Sequence, residues 1–134
     1  MSSDIVPISA TLLKKVKNAF GNDGMPMPFT QEIFLLKCHI AGTAYTDDIE
    51  AIEKELHLDD ILILRREPEN KHDNLAVIVI DEQGRKLGYI PRNKNEVIAR
   101  LMDAGKLIFG KIENKEYQFG NWLEIKIRLF MRDL

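Results

Sequence analysis

The chain has 134 residues, 45% of them hydrophobic and 30% charged, with a formal net charge of −2 at neutral pH. That length suits one domain able to bury a core without disulfides or metal, and the balance of apolar and charged residues excludes a disordered chain. The slightly acidic total excludes a strongly basic nucleic-acid coat, and no run approaches the roughly 18 apolar residues of a membrane span.

In chain order, Ser9 is placed to cap a short helix in which Leu12, Val16 and Phe20 share one stripe. Lys14, Lys15 and Lys17 face elsewhere, and Gly21 supplies a stop. The glycines and prolines of residues 21–28 disfavour both helix and central strand. Residues 1–31 therefore read as a helical appendage and linker before a domain over 32–134. Docking on that domain, dimerisation and contact with a membrane surface are all open to the appendage, and its short stripe favours docking. Met1-Ser2-Ser3-Asp4 lacks the basic-then-apolar pattern of a leader, and Cys38 has no second cysteine to bridge. A reducing, cytoplasmic setting is expected, with Cys38 in a buried strand.

From Glu32 onward, short apolar runs alternate with turn residues, the pattern of a β barrel or sandwich. Strands are predicted over 32–41, 61–66, 74–80, 85–90, 106–117 and 121–131. The run Leu75 to Ile80 is apolar at every position, so its strand should be central and covered on both faces. Asp81-Glu82-Gln83-Gly84 reads as a hairpin turn with Gly84 in the left-handed conformation. Two helices interrupt the strands. Thr46 is expected to cap the first, with Asp47 and Asp48 in its first turn, favoured by the helix dipole. Asn93 and Glu96 have capping-box spacing for the second, Val97, Ile98, Leu101 and Met102 form its apolar face, and Gly105 ends it.

Charge is unevenly spread. Residues 41–60 carry Asp47, Asp48, Glu50, Glu53, Glu55, Asp59 and Asp60 against Lys54 alone, a stretch that repels phosphate. Residues 84–111 reverse this, with Arg85, Lys86, Arg92, Lys94, Arg100, Lys106 and Lys111 against Glu96 and Asp103. The second stretch is a modest footprint for a polyanion, or else a set of solvated faces.

Catalytic signatures are missing. His39, His57 and His72 lie far apart and no pair has the spacing of a metal site. There is no nucleophile elbow, phosphate-cradling loop or dinucleotide fingerprint, and Cys38 within a strand makes a poor nucleophile. The adjacent pairs Asp47-Asp48 and Asp59-Asp60 point in different directions and suit capping. The reading is a binding module, with no enzyme activity, metal or cofactor.

What remains is a polar loop, Arg65-Arg66-Glu67-Pro68-Glu69-Asn70-Lys71-His72-Asp73-Asn74, between two strands, where binding groups usually sit. Leu87-Gly88-Tyr89-Ile90-Pro91-Arg92 follows, and Gly42-Thr43-Ala44-Tyr45 precedes it. In order and spacing these three segments resemble the HIRAN domain, over about Phe34 to Phe130. The resemblance implies a modified OB-like barrel with added helices, in agreement with a mainly β, six-stranded OB-like or SH3-like barrel. It also implies a free-standing relative of the domain that fronts fork-remodelling helicases and captures the free 3′ end of single-stranded DNA. Tyr45 and His72 would then stack on or bracket the terminal bases, and Asn70 and Asp73 would hold the sugar, with Asp73 accepting a bond from the 3′-hydroxyl. Tyr89 and Arg92 would face phosphates. The chain departs from the helicase-attached pattern at His72, where those proteins carry a tyrosine, and at Ala44, where they carry a basic residue. A helicase or nuclease would be a fitting protein partner.

The residue types suit this chemistry by themselves. Aromatic faces stack on any base for about 1–3 kcal/mol each. A carboxylate beside phosphates is useful only where a hydroxyl donor compensates, which makes Asp73 a detector of strand ends. Structural readings stand beside the functional ones. Tyr45 and Tyr89 can be rim residues of the barrel with hydroxyls in solvent, Asp73 and Asn70 can tie their own loop, Pro68, Gly88 and Pro91 can set backbone shape only, and Trp122 can pack in the last hairpin. A protein-interaction module on the same barrel is the competing function; it would expose an apolar patch or an open strand edge.

Overall fold

The computed structural model describes residues 31–120 and 122–133; the helix and linker expected before Gln31 lie outside them. Stretches rich in β-branched and aliphatic residues form β1 (Gln31–His39), β2 (Ile61–Arg66), β3 (Val77–Ile80), β4 (Lys86–Tyr89), β5 (Leu107–Tyr117) and β6 (Leu123–Asp133). They pair antiparallel in one sheet ordered β1-β6-β5-β2-β3-β4. Just past β1, Ala41 and Tyr89 exchange two backbone hydrogen bonds of 2.8 and 2.9 Å. The two outer strands of the sheet are thus pinned together at one point, and the sheet curls into the expected OB-like barrel, closed on that side by a single residue pair.

Gly88 makes this closure possible. A Cβ built there would lie 2.3 Å from the Ala41 carbonyl oxygen and 2.6 Å from a methyl of Ile40. Only a residue without a side chain lets the two segments approach so closely. At the other end of β4, the Asp81–Arg85 turn has the expected form. Asp81 Oδ1 accepts from the backbone N–H groups of Gln83 and Arg85, and Gly84 has a φ of +85°.

The helices differ from expectation in how they start. A one-turn 3-10 helix occupies Thr43–Tyr45, and α1 covers Ile49–Glu53. Thr46 does not cap α1: its hydroxyl donates instead to the Leu87 carbonyl at 2.9 Å, fastening the one-turn helix to β4. Asp48, with a left-handed φ of 58°, takes the cap position, so Asp47 and Asp48 precede the first turn. The second helix, α2 (Arg92–Asp103), begins one residue after Pro91, whose fixed φ suits the boundary. Asn93 therefore lies inside α2, no side chain caps it, and the capping box with Glu96 does not form. Gly105 does end the helix, at φ +89°.

The core lies between the sheet and the helices. Leu62, Leu64, Val77, Val79, Leu87, Ile108, Ile112, Ile125, Ile127 and Leu129 meet Ile52 of α1 and Ile98 and Ala99 of α2. Val97, predicted on the apolar face of α2, is instead exposed, and the buried stripe is Asn95, Ile98 and Ala99. All four residues of β3 are buried and the strand is paired on both sides, with β2 and with β4, as expected of an interior strand, but it starts at Val77 rather than residue 74. Cys38 is half-buried in β1, and that burial pushes its thiol pKa up to about 11. Among the described residues no helix is long and apolar enough to cross a membrane.

Candidate nucleic-acid interface

The loop between β2 and β3 is built around its own polar side chains. Its base is closed by Glu67 N–H donating to the Ala76 carbonyl at 3.0 Å. Arg66, at the end of β2, donates to the carbonyls of Ala76 and Asn74 and pairs with Asp103 of α2, so one guanidinium joins both ends of the loop to the helix. Inside the loop, the Asn70 side-chain oxygen accepts from the backbone N–H groups of His72 and Asp73 at 2.8 and 3.0 Å. The Asn70 amide donates to Glu67 Oε1 at 2.7 Å.

Tyr89 supports the same carboxylate. Its hydroxyl donates to Glu67 Oε1 at 2.9 Å and accepts from Lys86 Nζ, which sits over the ring 4.3 Å from its centroid. The Tyr89 hydroxyl is thus engaged rather than free in solvent. Burial pushes the Glu67 pKa up, but bonds from Asn70 and Tyr89 and the charges of Lys86 and Arg65 outweigh it and hold the group below the usual carboxylate range.

Asp73 joins the loop to α2. Its Oδ1 accepts from Leu75 N–H at 2.9 Å, Oδ2 accepts from the Asn95 amide at 2.7 Å, and Arg92 Nε lies 3.7 Å from Oδ2. The Leu75 bond, working against desolvation and helped by Asn95, Arg92 and Arg66, holds the Asp73 carboxyl below its ordinary value. Arg92 is well exposed at the first turn of α2 and also donates to the His72 carbonyl. These groups surround an open pocket of about 480 Å³ lined by Asn70, Lys71, His72, Asp73, Asn74, Leu75, Arg92, Asn95 and Glu96.

Four of the six residues singled out in the sequence, Asn70, His72, Asp73 and Arg92, line this one pocket. Tyr89 supports it from β4 through Glu67 and Asn70. Tyr45 is outside the lining, on the one-turn helix beside β4, with its side chain 92% exposed. Both structural readings of the loop hold: Asn70 and Asp73 do tie the backbone, and each carboxylate oxygen of Asp73 still has acceptor capacity beyond the bond described.

Sequence reasoning missed Asn95 and Glu67. Asn95 stands on the apolar stripe of α2, three and four residues before Ile98 and Ala99, and a polar residue inside such a stripe is itself a signal. Glu67 lies within the quoted loop, but its partners Asn70 and Tyr89 could not be paired with it from spacing.

Comparison with known proteins places the chain. The HIRAN domain family model matches residues 33–132. A crystal structure of a protein from Lactobacillus plantarum superposes with a TM-score of 0.71 at 30% identity, covering 78% of this chain and 99% of that one. The crystal structure of the HIRAN domain of human HLTF gives 0.59 at 18% identity over 75% and 78% of the two chains. The NMR structure of the HLTF HIRAN domain in its DNA-bound conformation gives 0.52 at 18% identity over 76% and 79%. No curated protein matches. With the family model spanning the whole barrel and its pocket loop, this chain belongs to the HIRAN domain family.

Proposed function

We propose that this chain is a non-catalytic DNA-binding module that captures single-stranded DNA at a free 3′ end, serving repair or replication-fork processing. The observation that carries this reading is the Asp73–Arg92 pair at the mouth of the loop pocket, an ionised acceptor beside an exposed cation. The DNA-bound HIRAN domain of HLTF supports the choice of ligand. Asp73 accepts from the terminal hydroxyl while Arg92 meets the neighbouring phosphate. Tyr45 and His72, both exposed, offer faces to the terminal bases. Asn70 and Tyr89 act by shaping the loop, through the bonds given above. The deciding experiment is fluorescence anisotropy with short oligonucleotides whose 3′ or 5′ end is sequestered in a hairpin. Binding lost only when the 3′ end is sequestered supports the reading, and equal binding of both designs rejects it.

The electrostatic term should be small. Arg85 pairs with Asp81 and Glu55, Arg100 with Glu96, and Lys111 with Glu32, whereas Lys71 and Arg92 are exposed cations on the pocket lining, Arg92 with Asp73 beside it. The log-log salt dependence of single-strand binding is expected to have a slope of roughly −1 to −3, at ~0.7 per phosphate contact. Arg92→Ala should make it shallower by about one contact. Affinity independent of salt would mean that DNA is not the ligand.

Stacking can be tested separately from folding. Tyr45→Ala is expected to weaken single-strand binding by about 1–3 kcal/mol with no change in thermal midpoint, since the ring is almost wholly in solvent. His72→Ala should behave similarly. Unchanged affinity in Tyr45→Ala would remove that ring from the interface.

One observation favours protein interaction as a second role. The β5–β6 hairpin presents Phe119, 99% exposed, with Tyr117 and Trp122 about half exposed. Exposed aromatics of this kind commonly anchor protein partners. Phe119→Ala should leave DNA affinity unchanged if the hairpin serves a protein, and lower it if the hairpin extends the DNA track.

A further inference from the structure

Asp73 and Arg92 carry opposite charges at the pocket but do not close into a hydrogen-bonded pair. Elsewhere in the described residues such pairs do close. Arg85 meets Asp81 at 2.8 Å through both Nε and Nη2, and Arg66 meets Asp103 through two bonds of 2.9 and 3.3 Å. Arg92 Nε instead stays 3.7 Å from Asp73 Oδ2, beyond hydrogen-bond reach, and its side chain is 71% exposed. The cause lies in what already holds the carboxylate. Leu75 N–H donates to Oδ1 and the Asn95 amide to Oδ2 at 2.7 Å, so a donor on each oxygen fixes the carboxylate plane. It cannot then turn both oxygens toward the guanidinium fork. Asn95 is itself out of place by the rules of packing: it is 3% exposed, on the buried stripe of α2 with Ile98 and Ala99, where an aliphatic side chain would suit both core and helix better.

We propose that Asn95 is a positioning residue that keeps the pocket open: by donating to Asp73 Oδ2 it withholds that oxygen from Arg92, so carboxylate and guanidinium stay separately available to a ligand. Arg92 and Asn95 stand three residues apart on α2 and so present two donors to the same carboxylate. The neutral donor takes the oxygen. An amide satisfies Oδ2 without cancelling its charge, so the carboxylate remains an ionised acceptor for a hydroxyl. Arg92, held only by the His72 carbonyl on its other side, keeps its charge for a phosphate. Without the Asn95 amide the carboxylate is released to turn, and the two charges close on each other as Arg66 and Asp103 do. The pocket would then offer neither. The consequence for DNA rests on the 3′-end reading given above; the separation of Asp73 from Arg92 does not.

The test uses the full chain with Asn95→Leu, which keeps the volume and loses the donor, and Asn95→Ala as a second variant. The first readout needs no DNA. In both variants the Arg92 Nε–H resonance should move and its exchange with water should slow by about tenfold or more, as a charge-assisted bond to Asp73 forms. Asp73→Asn placed in the Asn95→Leu background should reverse the slowing. The second readout is binding of a short oligonucleotide with a free 3′ end. Asn95→Leu should weaken it by about tenfold and make the log-log salt slope shallower by about one contact, ~0.7. Arg92→Ala should then cost nothing further in that background, although it costs a contact in the wild type. A lower thermal midpoint with the Arg92 resonance and the salt slope unchanged would make Asn95 a packing residue and overturn the proposal. If the wild type ignores 3′ ends, the DNA reading fails, and the Arg92 resonance alone decides the role of Asn95.

Discussion

Gly88→Ala is expected to lower stability by about 3 kcal/mol, a fall of roughly 10 °C in thermal midpoint for a domain of this size. The added methyl would sit 2.3 Å from the Ala41 carbonyl oxygen, a backbone atom that cannot swing aside. Relief requires Ala41 and Tyr89 to separate, which breaks the two hydrogen bonds that close the barrel. Gly84→Ala is the control. That position is also a glycine near β4, with a φ of +85°, but nothing lies within 4 Å of an added Cβ. Its cost is that of a left-handed alanine alone, about 1–2 kcal/mol. Equal midpoints for the two variants would mean that the closure is looser than the geometry described. Gly88→Ala should also weaken DNA binding, because the same pair positions Tyr89 beneath the loop and the one-turn helix that bears Tyr45.

The second large effect concerns the chemistry of the strand end. A 3′-phosphate placed against Asp73 brings two like charges together, whereas a 3′-hydroxyl donates a charge-assisted bond contributing about 1.5–3 kcal/mol. At least a tenfold preference for the hydroxyl end is expected, on the order of 1.4 kcal/mol, with indifference to phosphate at the 5′ end. Asp73→Asn retains an acceptor for Leu75 N–H but loses the charge, so it should narrow the preference more than it lowers affinity. Asp73→Ala should lose both, and it strands the buried Asn95 amide, at a stability cost of about 1–3 kcal/mol.

The pH dependence follows from the lowered pKa of Asp73. Because the folded value lies below the unfolded one, the stability it contributes is fully present above the unfolded pKa, near ~3.9, and is lost as pH falls through the folded value. End preference should therefore persist down to about pH 4 and fade only below it. Equal binding of hydroxyl and phosphate ends at neutral pH would defeat the end-recognition mechanism while leaving DNA binding itself intact.

Signals carried by one residue and its chain neighbours were legible in the sequence. Gly84 and Gly105 mark a turn and a helix stop wherever they fall, and both take the expected backbone conformation. The six strands appear close to their expected bounds because alternating apolar residues need no knowledge of their partners. Caps were misread where a distant group competed. Thr46 has the right residue type to start a helix, but its hydroxyl finds the Leu87 carbonyl 41 residues away. Asn93 and Glu96 have capping-box spacing, but Pro91 sets the boundary and places Asn93 inside the helix. The pocket follows the same rule. Its loop was visible as a polar run between strands, while the bond from Asn95 to Asp73 spans 22 residues and is created only by the fold. Barrel closure through Gly88 was equally hidden, since the glycine is needed for a neighbour contributed by another part of the chain.

The pairing of β1 with β6 bears on how the chain reaches its folded state. The ladder runs from Gln31 opposite Asp133 to His39 opposite Lys126, so β1 cannot complete its pairing until β6 has been synthesised. At about 5–20 residues per second, β1 stays unpaired on a ribosome for roughly 5–20 s. Contacts this distant in sequence also place refolding in the slower, millisecond-to-second class of small domains. During that interval the backbone groups of β1, and apolar side chains such as Phe34, are open to other chains. Yield on expression should therefore depend on temperature and chain concentration more steeply than the stability of the finished barrel would suggest.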